Sequence, residues 1–314
     1  MLVLSAEAVD AALTFPDLIE ALSQAFAGDI VAPVRHHHAM ARPDGEATLL
    51  LMPAWTGGEQ AFCGVKIVSV YPGNAARNLP SVLGTYMLMD GATGAPLAAI
   101  DGTRLTAWRT AAASALAARH LARPDAKRMV MVGAGALAPF LIDAHRAVRP
   151  GIEEVAIWNH RPERARELAT RLQGRGFAVR ATQELEGAVR EADLVSCATL
   201  STTPVVQGSW LKPGAHLDLV GAFNLRMREA DDVALKRARV FIDTPAALRE
   251  GGDVALGIKS GAIAENAVVA DLTALCRGTA RGRSDDGEIT LFKSVGASLE
   301  DLAAAMLVWS RRGQ

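Results

Sequence analysis

The sequence predicts an α/β protein in two parts, a doubly wound parallel sheet in the middle of the chain and a strand-rich α+β region ahead of it. Three observations predict it. Residues 127–160 read as strand, tight turn, helix and strand in roughly 30 residues. From there to about residue 244, short apolar runs alternate with amphipathic stretches, as crossover-connected parallel strands require. Ahead of Pro124, strand candidates instead follow one another through short turns.

In the amino-terminal region, residues 2–4 read as a strand. Ser5 is placed to cap a helix over about 6–13. A second helix fits 16–27, with Pro16 in its first turn and Gly28 at its end. Arg35 to His38 form a polar patch entering an extended stretch. Strands are expected over 48–52, stopped by Pro53, and over 64–70, 85–89 and 97–100, with 72–80 a loop. A long helix over 103–122 takes apolar surface from Leu105, Trp108, Ala112, Ala115, Leu116 and Leu121. The boundary is placed after it, near 123–124.

The second region offers six parallel strands, at 129–132, 155–158, 177–179, 194–198, 216–220 and 240–242, with helices between them. The first turn carries Gly133, Gly135 and Ala138 at G-x-G-x-x-A spacing. Gly133 permits the sharp turn, Gly135 lets a pyrophosphate reach the backbone, and Ala138 lets helix and strand pack closely. Gly133, Gly135, Ala136, Leu137 and Ala138 are thus candidate cofactor-binding residues on a Rossmann-type dinucleotide unit, although an ordinary α/β turn has the same spacing. Loops at the strand carboxyl ends face the nucleotide in such sheets. That brings Thr199 and Gly221 to the nicotinamide half. A last helix, 299–309, is expected to cross back to the first region.

The totals exclude several classes. The chain has 314 residues, half of them hydrophobic, and a formal net charge of -1, so neither nucleic acid nor a membrane is an expected partner. Cys63, Cys197 and Cys276 have no paired spacing that would indicate a disulfide scaffold or zinc motif. The start, with Glu7 and Asp10, lacks the basic segment of a signal peptide, and no uncharged apolar run spans a membrane. A cytoplasmic location is expected.

Single residues carry the rest. Lys66 shares a strand face with Gly64, Val68 and Val70, so it either snorkels or faces a polar cavity. Arg109, on an alanine-rich helix, either pins two elements or grips a carboxylate with its fork. Arg35 is a weaker candidate, with a solvated loop arginine as the alternative. His36 to His38 cannot all share one face of a strand, and no zinc pattern is present, so no metal is expected. Cys197 reads as a small buried strand residue. About 20 residues beyond the glycines, an acid would hold the ribose of NAD. Asn159, His160 and Arg161 stand there instead. Asn159 and Arg161 suit an extra phosphate, so NADP(H) is expected in preference, with NAD(H) as the alternative. Arg161 before Pro162 also reads as a plain surface cap.

Five segments together carry a further signal: GVKIVSVYPGN at 64–74, DGATGAPLAAIDGTRLTAWRTAAASALAARHLAR at 90–123, VGAGALAP at 132–139, GDVALGIKSG at 252–261 and EITLFKSVGASLEDLAAA at 288–305. They make the chain resemble the ornithine cyclodeaminase and mu-crystallin family over nearly its whole length. The resemblance implies a split substrate-binding and dimerisation domain, residues 1–123 and 289–314, around a dinucleotide domain, 124–288, in a homodimer. It implies carboxylate binding by Arg35 and Arg109, a pocket role for Lys66 and a substrate pocket between the domains. One position departs: VGAFNLRMRE at 220–229 puts Phe223 where the cyclodeaminases carry an aspartate. Asp218, within the preceding strand, is no substitute.

The reading that follows is NADPH-dependent reduction of delta-1-pyrroline-2-carboxylate to L-proline, with the piperideine analogue going to L-pipecolate. Lys66 and Arg109 are the candidate catalytic residues, and Arg35, Lys66, Arg109 and Phe223 hold the small cyclic imino acid. An alanine or other amino-acid dehydrogenase, an ornithine cyclodeaminase and a nonenzymatic nucleotide-binding crystallin-like protein are the alternatives.

Overall fold

Side chains alternating with a period of two build the first sheet, and one of its faces is packed while the other is open. The computed structural model describes residues 1–42, 45–58, 61–77, 79–80 and 82–312. The first unit comprises Met1–Thr110 and Ala297–Gln314. It contains β1 (Leu2–Leu4), α1 (Ala6–Ala12), α2 (Phe15–Ala27), β2 (His36–Arg42), β3 (Gly45–Trp55), β4 (Phe62–Val70), β5 (Val82–Asp90), β6 (Pro96–Asp101), the start of α3 (Gly102–Leu121) and the last helix, α11 (Ser298–Ser310). The sheet order is β1-β6-β5-β4-β3-β2, parallel only at β1–β6. Ser5 and Thr14 cap α1 and α2 by accepting from Ala8 N and Asp17 N.

On the packed face, Met52, Ala54, Gly64, Lys66, Val68, Tyr86, Leu88, Ala98 and Ile100 are buried, and α11 lies against β3, β4 and β5. The opposite face presents Leu51, Pro53, Val65, Ile67, Met87 and Ala99, half-buried or exposed. Pro53 does not stop its strand, contrary to the sequence expectation. β2 pairs with β3 only from Gly45 to Leu51, so at Pro53 the ladder continues on the β4 side alone, where a residue without an N–H is tolerated. The expected loop at 72–80 contains a 3-10 turn over Pro72–Arg77, and Asn78 lies outside the described residues.

The second unit, Ala111–Gly296, is the doubly wound sheet. Its strands are β7 (Arg128–Val132), β8 (Glu154–Trp158), β9 (Ala178–Ala181), β10 (Leu194–Cys197), β11 (His216–Leu219), β12 (Arg239–Ile242), β13 (Val268–Asp271) and β14 (Thr290–Lys293). Its helices are α4 (Ala138–Val148), α5 (Pro162–Leu172), α6 (Leu185–Glu191), α7 (Asp232–Arg237), α8 (Ala247–Glu250), α9 (Gly252–Lys259) and α10 (Leu272–Cys276). All pairings are parallel, in the order β13-β12-β14-β11-β10-β7-β8-β9. The strand order reverses between β7 and β10, the place where such sheets bind ligands.

The sheet has eight strands where the sequence indicated six. β14 inserts between β11 and β12 and is buried on both faces, so its four residues, framed by Thr290 and Lys293, show no alternation to read. The unit division falls inside α3, between Thr110 and Ala111, whereas the sequence-based boundary follows that helix. A continuous helix carries no shift of pattern at such a division. The carboxyl end of α3 is held by Arg149, whose guanidinium donates to the carbonyls of Ala118, Arg119 and Ala122 at 2.8, 3.0 and 2.7 Å.

A Cβ built on Gly64 would lie 2.2 Å from the Tyr86 hydroxyl, so β4 and Tyr86 fit only because that position is glycine. Gly64→Ala is expected to destabilise the protein by about 1–3 kcal/mol through overpacking. Denaturant unfolding checks this; an unchanged midpoint would contradict it.

Candidate functional site

In the second unit the glycine turn sits at the strand-order reversal. Gly133 has φ 110°, and a Cβ there would lie 2.6 Å from the Ala198 carbonyl oxygen. Glycine is therefore needed both for the turn and for the approach of the β7 and β10 ends. A Cβ on Gly135 would meet nothing within 4 Å. Its missing side chain opens onto a cavity of about 440 Å³ lined by Gly133, Gly135, Trp158, Asn159, Thr199 and Ser201, among others. Ala138, buried, begins α4, which has no side-chain cap; Ala136 is exposed and Leu137 half-buried at its entry. A dinucleotide fits these residues: a close backbone, a helix start facing the turn and a cleft beside both.

At the end of β8, Asn159 makes two local hydrogen bonds. Its Oδ1 accepts from Ala134 N at 3.3 Å and its Nδ2 donates to the Arg161 carbonyl at 3.1 Å. It ties the glycine turn to the β8 end, and it lines the cavity with a second Nδ2–H to offer. His160 lines the cavity and is exposed, and Arg161 is the exposed residue before α5. Arg164 lines this cavity and also an adjoining groove of about 910 Å³ along α5. Arg164 lies beyond the residues that end β8, and α5 carries it to the cavity.

Thr199 lines the cavity, while Gly221 is buried at the end of β11. Both backbone N–H groups donate to Glu229, at 2.6 Å each. Phe223 is 45% exposed, a large ring left open at the carboxyl end of the sheet. Asp218 is fully buried and accepts from Ser114 Oγ at 2.9 Å and Ser196 Oγ at 2.7 Å, with His145 Nε2 at 3.1 Å. It is a core group with no access to a substrate. Cys197 is likewise fully buried, and burial pushes its thiol far up, away from a nucleophile's range.

In the first unit, Lys66 and Arg109 come together on one carboxylate. Lys66 Nζ donates to Asp301 Oδ1 at 2.8 Å and to Thr106 Oγ1 at 3.3 Å. Arg109 Nε donates to the same Asp301 oxygen at 2.9 Å, and its Nη1 to Glu300 Oε2 at 2.7 Å. Lys66 is 2% and Arg109 6% exposed. Burial and then the neighbouring Arg109 lower Lys66 to about 8, with Asp301 opposing them. Burial acts to lower Arg109 too, but Asp301 and Glu300 outweigh it and the guanidinium stays charged. Among the described residues, the Tyr86 hydroxyl and Asp301 Oδ2 have no hydrogen-bond partner. Tyr86 stands directly across from Lys66 in the neighbouring strand. Arg35 precedes β2 and is half-buried. His36 and His38 share one face, 6.5 Å apart, and His37 takes the other; no group of three metal-binding side chains is present among the described residues.

The acids Glu300 and Asp301 were not singled out from the sequence. The available signal was α11 itself, apolar on nearly every side apart from two acids. Such a helix is buried all round, so its carboxylates need buried cations, and Lys66 and Arg109 were the unpartnered cations of the sequence.

Gly135→Ala adds a methyl only toward the cavity. It is expected to leave the unfolding midpoint within about 2 °C of wild type and to weaken nicotinamide nucleotide binding about tenfold, ~1.4 kcal/mol. Titration followed by fluorescence checks this, and unchanged affinity would contradict the placement of the pyrophosphate.

Comparison with known proteins identifies the family. Residues 1–313 match the model of the ornithine cyclodeaminase/mu-crystallin family. The chain is 40% identical over 297 residues to a delta(1)-pyrroline-2-carboxylate reductase of Paracoccus denitrificans, covering 94% of this chain and 92% of that protein. Its fold is similar to that of the Thermococcus litoralis delta(1)-pyrroline-2-carboxylate reductase in complex with NADH and L-proline, with TM-score 0.93, 33% identity and coverage of 99% and 97%. It is also similar to an archaeal alanine dehydrogenase dimer with bound NAD, with TM-score 0.90, 30% identity and coverage of 99% and 95%. With the family model spanning nearly every residue, the chain belongs to the ornithine cyclodeaminase/mu-crystallin family.

Proposed function

We propose that this protein reduces delta-1-pyrroline-2-carboxylate to L-proline, with the six-membered piperideine analogue as a second substrate. In coarser terms it is an NAD(P)H-dependent imine reductase acting on a small amino-acid-derived substrate. The observation that carries the reading is the pair of buried cations, Lys66 and Arg109, beside the unpartnered Tyr86 hydroxyl and Asp301 oxygen. Buried polar atoms are normally partnered, so this cluster suits a small ligand bearing both acceptor and donor groups, as a protonated imino acid does. Similarity to the Paracoccus reductase and to the Thermococcus complex supports the substrate class.

Bound NAD(P)H supplies the hydride for the imine carbon. The chain's own residues bind and orient. Arg109 commits two donors to Glu300 and Asp301 and retains others for a carboxylate. Lys66, held at about 8, is poised to carry its charge at neutral pH and to give up a proton near the imine nitrogen. Arg35 is a further carboxylate ligand in this reading. Phe223 supplies an apolar surface and no proton, which argues against deamination of ornithine. NADP(H) is the preferred cofactor because no acid ends β8 and the basic groups Arg161 and Arg164 stand near it. Those two solved relatives hold NADH and NAD, so this preference rests on residues of this chain.

The open apolar face of the first sheet, with Leu51, Val65, Ile67 and Met87, is the surface for a second copy of the chain in a homodimer. Ile67 is 38% exposed there, beside the half-buried Leu51, Val65 and Met87, and the alanine dehydrogenase relative is a dimer.

Nicotinamide oxidation with pyrroline carboxylate, piperideine carboxylate, pyruvate plus ammonia, and ornithine tests the function. The expected result is turnover on the cyclic imines, and no ammonia from ornithine; ammonia release without imine reduction would overturn it. Catalytic efficiency should favour NADPH over NADH, and Arg161→Ala should hurt NADPH use more; a clear NADH preference would contradict the cofactor assignment.

Lys66→Met leaves Asp301 paired with Arg109, so the protein should fold and bind nucleotide while kcat/KM on the imine falls roughly 10²-fold, about 3 kcal/mol. In wild type kcat/KM should fall as pH rises through about 8, where Lys66 loses its charge, and Lys66→Met should lack that limb. A wild-type limb retained in the variant would remove Lys66 from the reaction.

A further inference from the structure

Glu229 is fully buried and belongs to no helix or strand, yet both of its oxygens are occupied. Oε1 accepts from Thr199 N at 2.6 Å and Thr199 Oγ1 at 2.9 Å; Oε2 accepts from Gly221 N at 2.6 Å and Ala222 N at 3.3 Å. One carboxylate therefore joins the segments that leave the carboxyl ends of β10 and β11. The closeness requires Gly221: a Cβ there would lie 2.1 Å from the Thr199 carbonyl oxygen and 2.5 Å from Glu229 Oε1. On its other side Glu229 is fixed through its backbone. Asp253 Oδ1 accepts from Glu229 N at 2.7 Å and from Ala230 N at 2.9 Å. Lys293 Nζ, at the end of β14, is 3.3 Å from Asp253 Oδ2 and donates to the Leu219 carbonyl at 3.2 Å. Thr199, in turn, lines the cavity that Gly133 and Gly135 border.

We propose that Glu229 is a positioning residue for the nicotinamide nucleotide: its ionised carboxylate clamps Thr199 and Gly221 into one wall of the site, and protonation loosens that wall. The inference rests on the reading of the cavity as a nicotinamide nucleotide site. It does not depend on which imine is reduced or on a preference for NADPH.

The hydrogen bonds give the direction of the effect. An ionised carboxylate only accepts, and all four groups facing Glu229 can donate. Oε2 meets two backbone N–H groups, which cannot turn away, so a proton goes to Oε1, where the Thr199 hydroxyl can rotate to accept it. The protonated Oε1 is then a weaker acceptor for the Thr199 N–H, so the segment after β10 is held less firmly. Burial pushes the Glu229 carboxyl up to about 7, with Lys293 opposing, Asp253 adding to the rise and the Thr199 bonds opposing it. The charged and titratable groups packed around it are Lys293 from β14, Asp253 from α9 and the Cys197 thiol from β10, the last held protonated by burial. The clamp is therefore closed above about pH 7 and opens as pH falls through it.

The test is NADH binding, followed by fluorescence from pH 6 to 8.5 on wild type, Glu229→Gln and Glu229→Asp. NADH is used because the extra phosphate of NADPH has its own ionisation near pH 6. In wild type the Kd should rise several-fold as pH falls through about 7. Glu229→Gln, which turns one acceptor into a donor, should bind about tenfold more weakly at pH 8.5 and show no dependence across the window. Glu229→Asp keeps the carboxylate and should bind more weakly while retaining a pH dependence. A merely structural glutamate would lower stability without altering the slope. Wild-type affinity and slope in Glu229→Gln overturn the inference. Should that variant not fold, wild-type affinity in Glu229→Asp, or loss of its slope, overturns it. No NADH binding by wild type at any pH would overturn the nucleotide reading itself, and this inference with it.

Discussion

One oxygen of Asp301 receives both Lys66 and Arg109, and the first unit depends on that junction. It joins β4, α3 and α11 where Lys66 is 2% and Arg109 6% exposed. Removing Asp301 would leave two buried cations short of a partner, and breaking a buried pair in this way costs about 3–5 kcal/mol. Ion pairs buried so deeply add little net stability over apolar packing. A cluster of four charged groups from β4, α3 and α11 is therefore better explained by what it presents than by what it stabilises. It fixes two cations at a defined separation and sets one of them close to neutrality. In the proposed reaction that positive charge is in place before the imino acid arrives, so that little reorganisation remains.

The second unit uses the same device on different elements. Glu229 is to the β10 and β11 ends what Asp301 is to Lys66 and Arg109, a buried carboxylate on which several groups converge. Around it the backbone makes approaches that only glycine allows, at Gly133 toward Ala198 and at Gly221 toward Thr199. In each unit a buried acid gathers its neighbours, cationic side chains on Asp301 and backbone N–H groups on Glu229. Ser114, Ser196 and His145 converge in the same way on Asp218.

Much of this was legible in the sequence where the signal is local. The glycine turn, the alternation of strands and helices and the isolation of Lys66 on an apolar strand face each follow from short-range pattern. What was not legible depends on partners far apart in the chain. Lys66 and Asp301 are separated by 235 residues, and no periodicity links them. β14 is buried on both faces and has no alternation, and Pro53 survives in β3 only because the neighbouring strand ends early. Asn159 lines the cavity as its position suggests, and its bonds to Ala134 and Arg161 are a local tie that composition does not reveal. Family resemblance supplied the pocket and the dimer; the residues alone supplied the cations.

The central claim is that this chain directs a hydride from a nicotinamide nucleotide to the carbon of a cyclic imino acid. Following the isotope tests it most directly: NADPH carrying deuterium at the transferable position of nicotinamide C4 is incubated with the protein and delta-1-pyrroline-2-carboxylate, and the product is analysed by NMR and mass spectrometry. The account predicts proline with one deuterium at C2 and a single configuration at that carbon. Proline without deuterium, or no proline while the nucleotide is consumed with another partner, would contradict it.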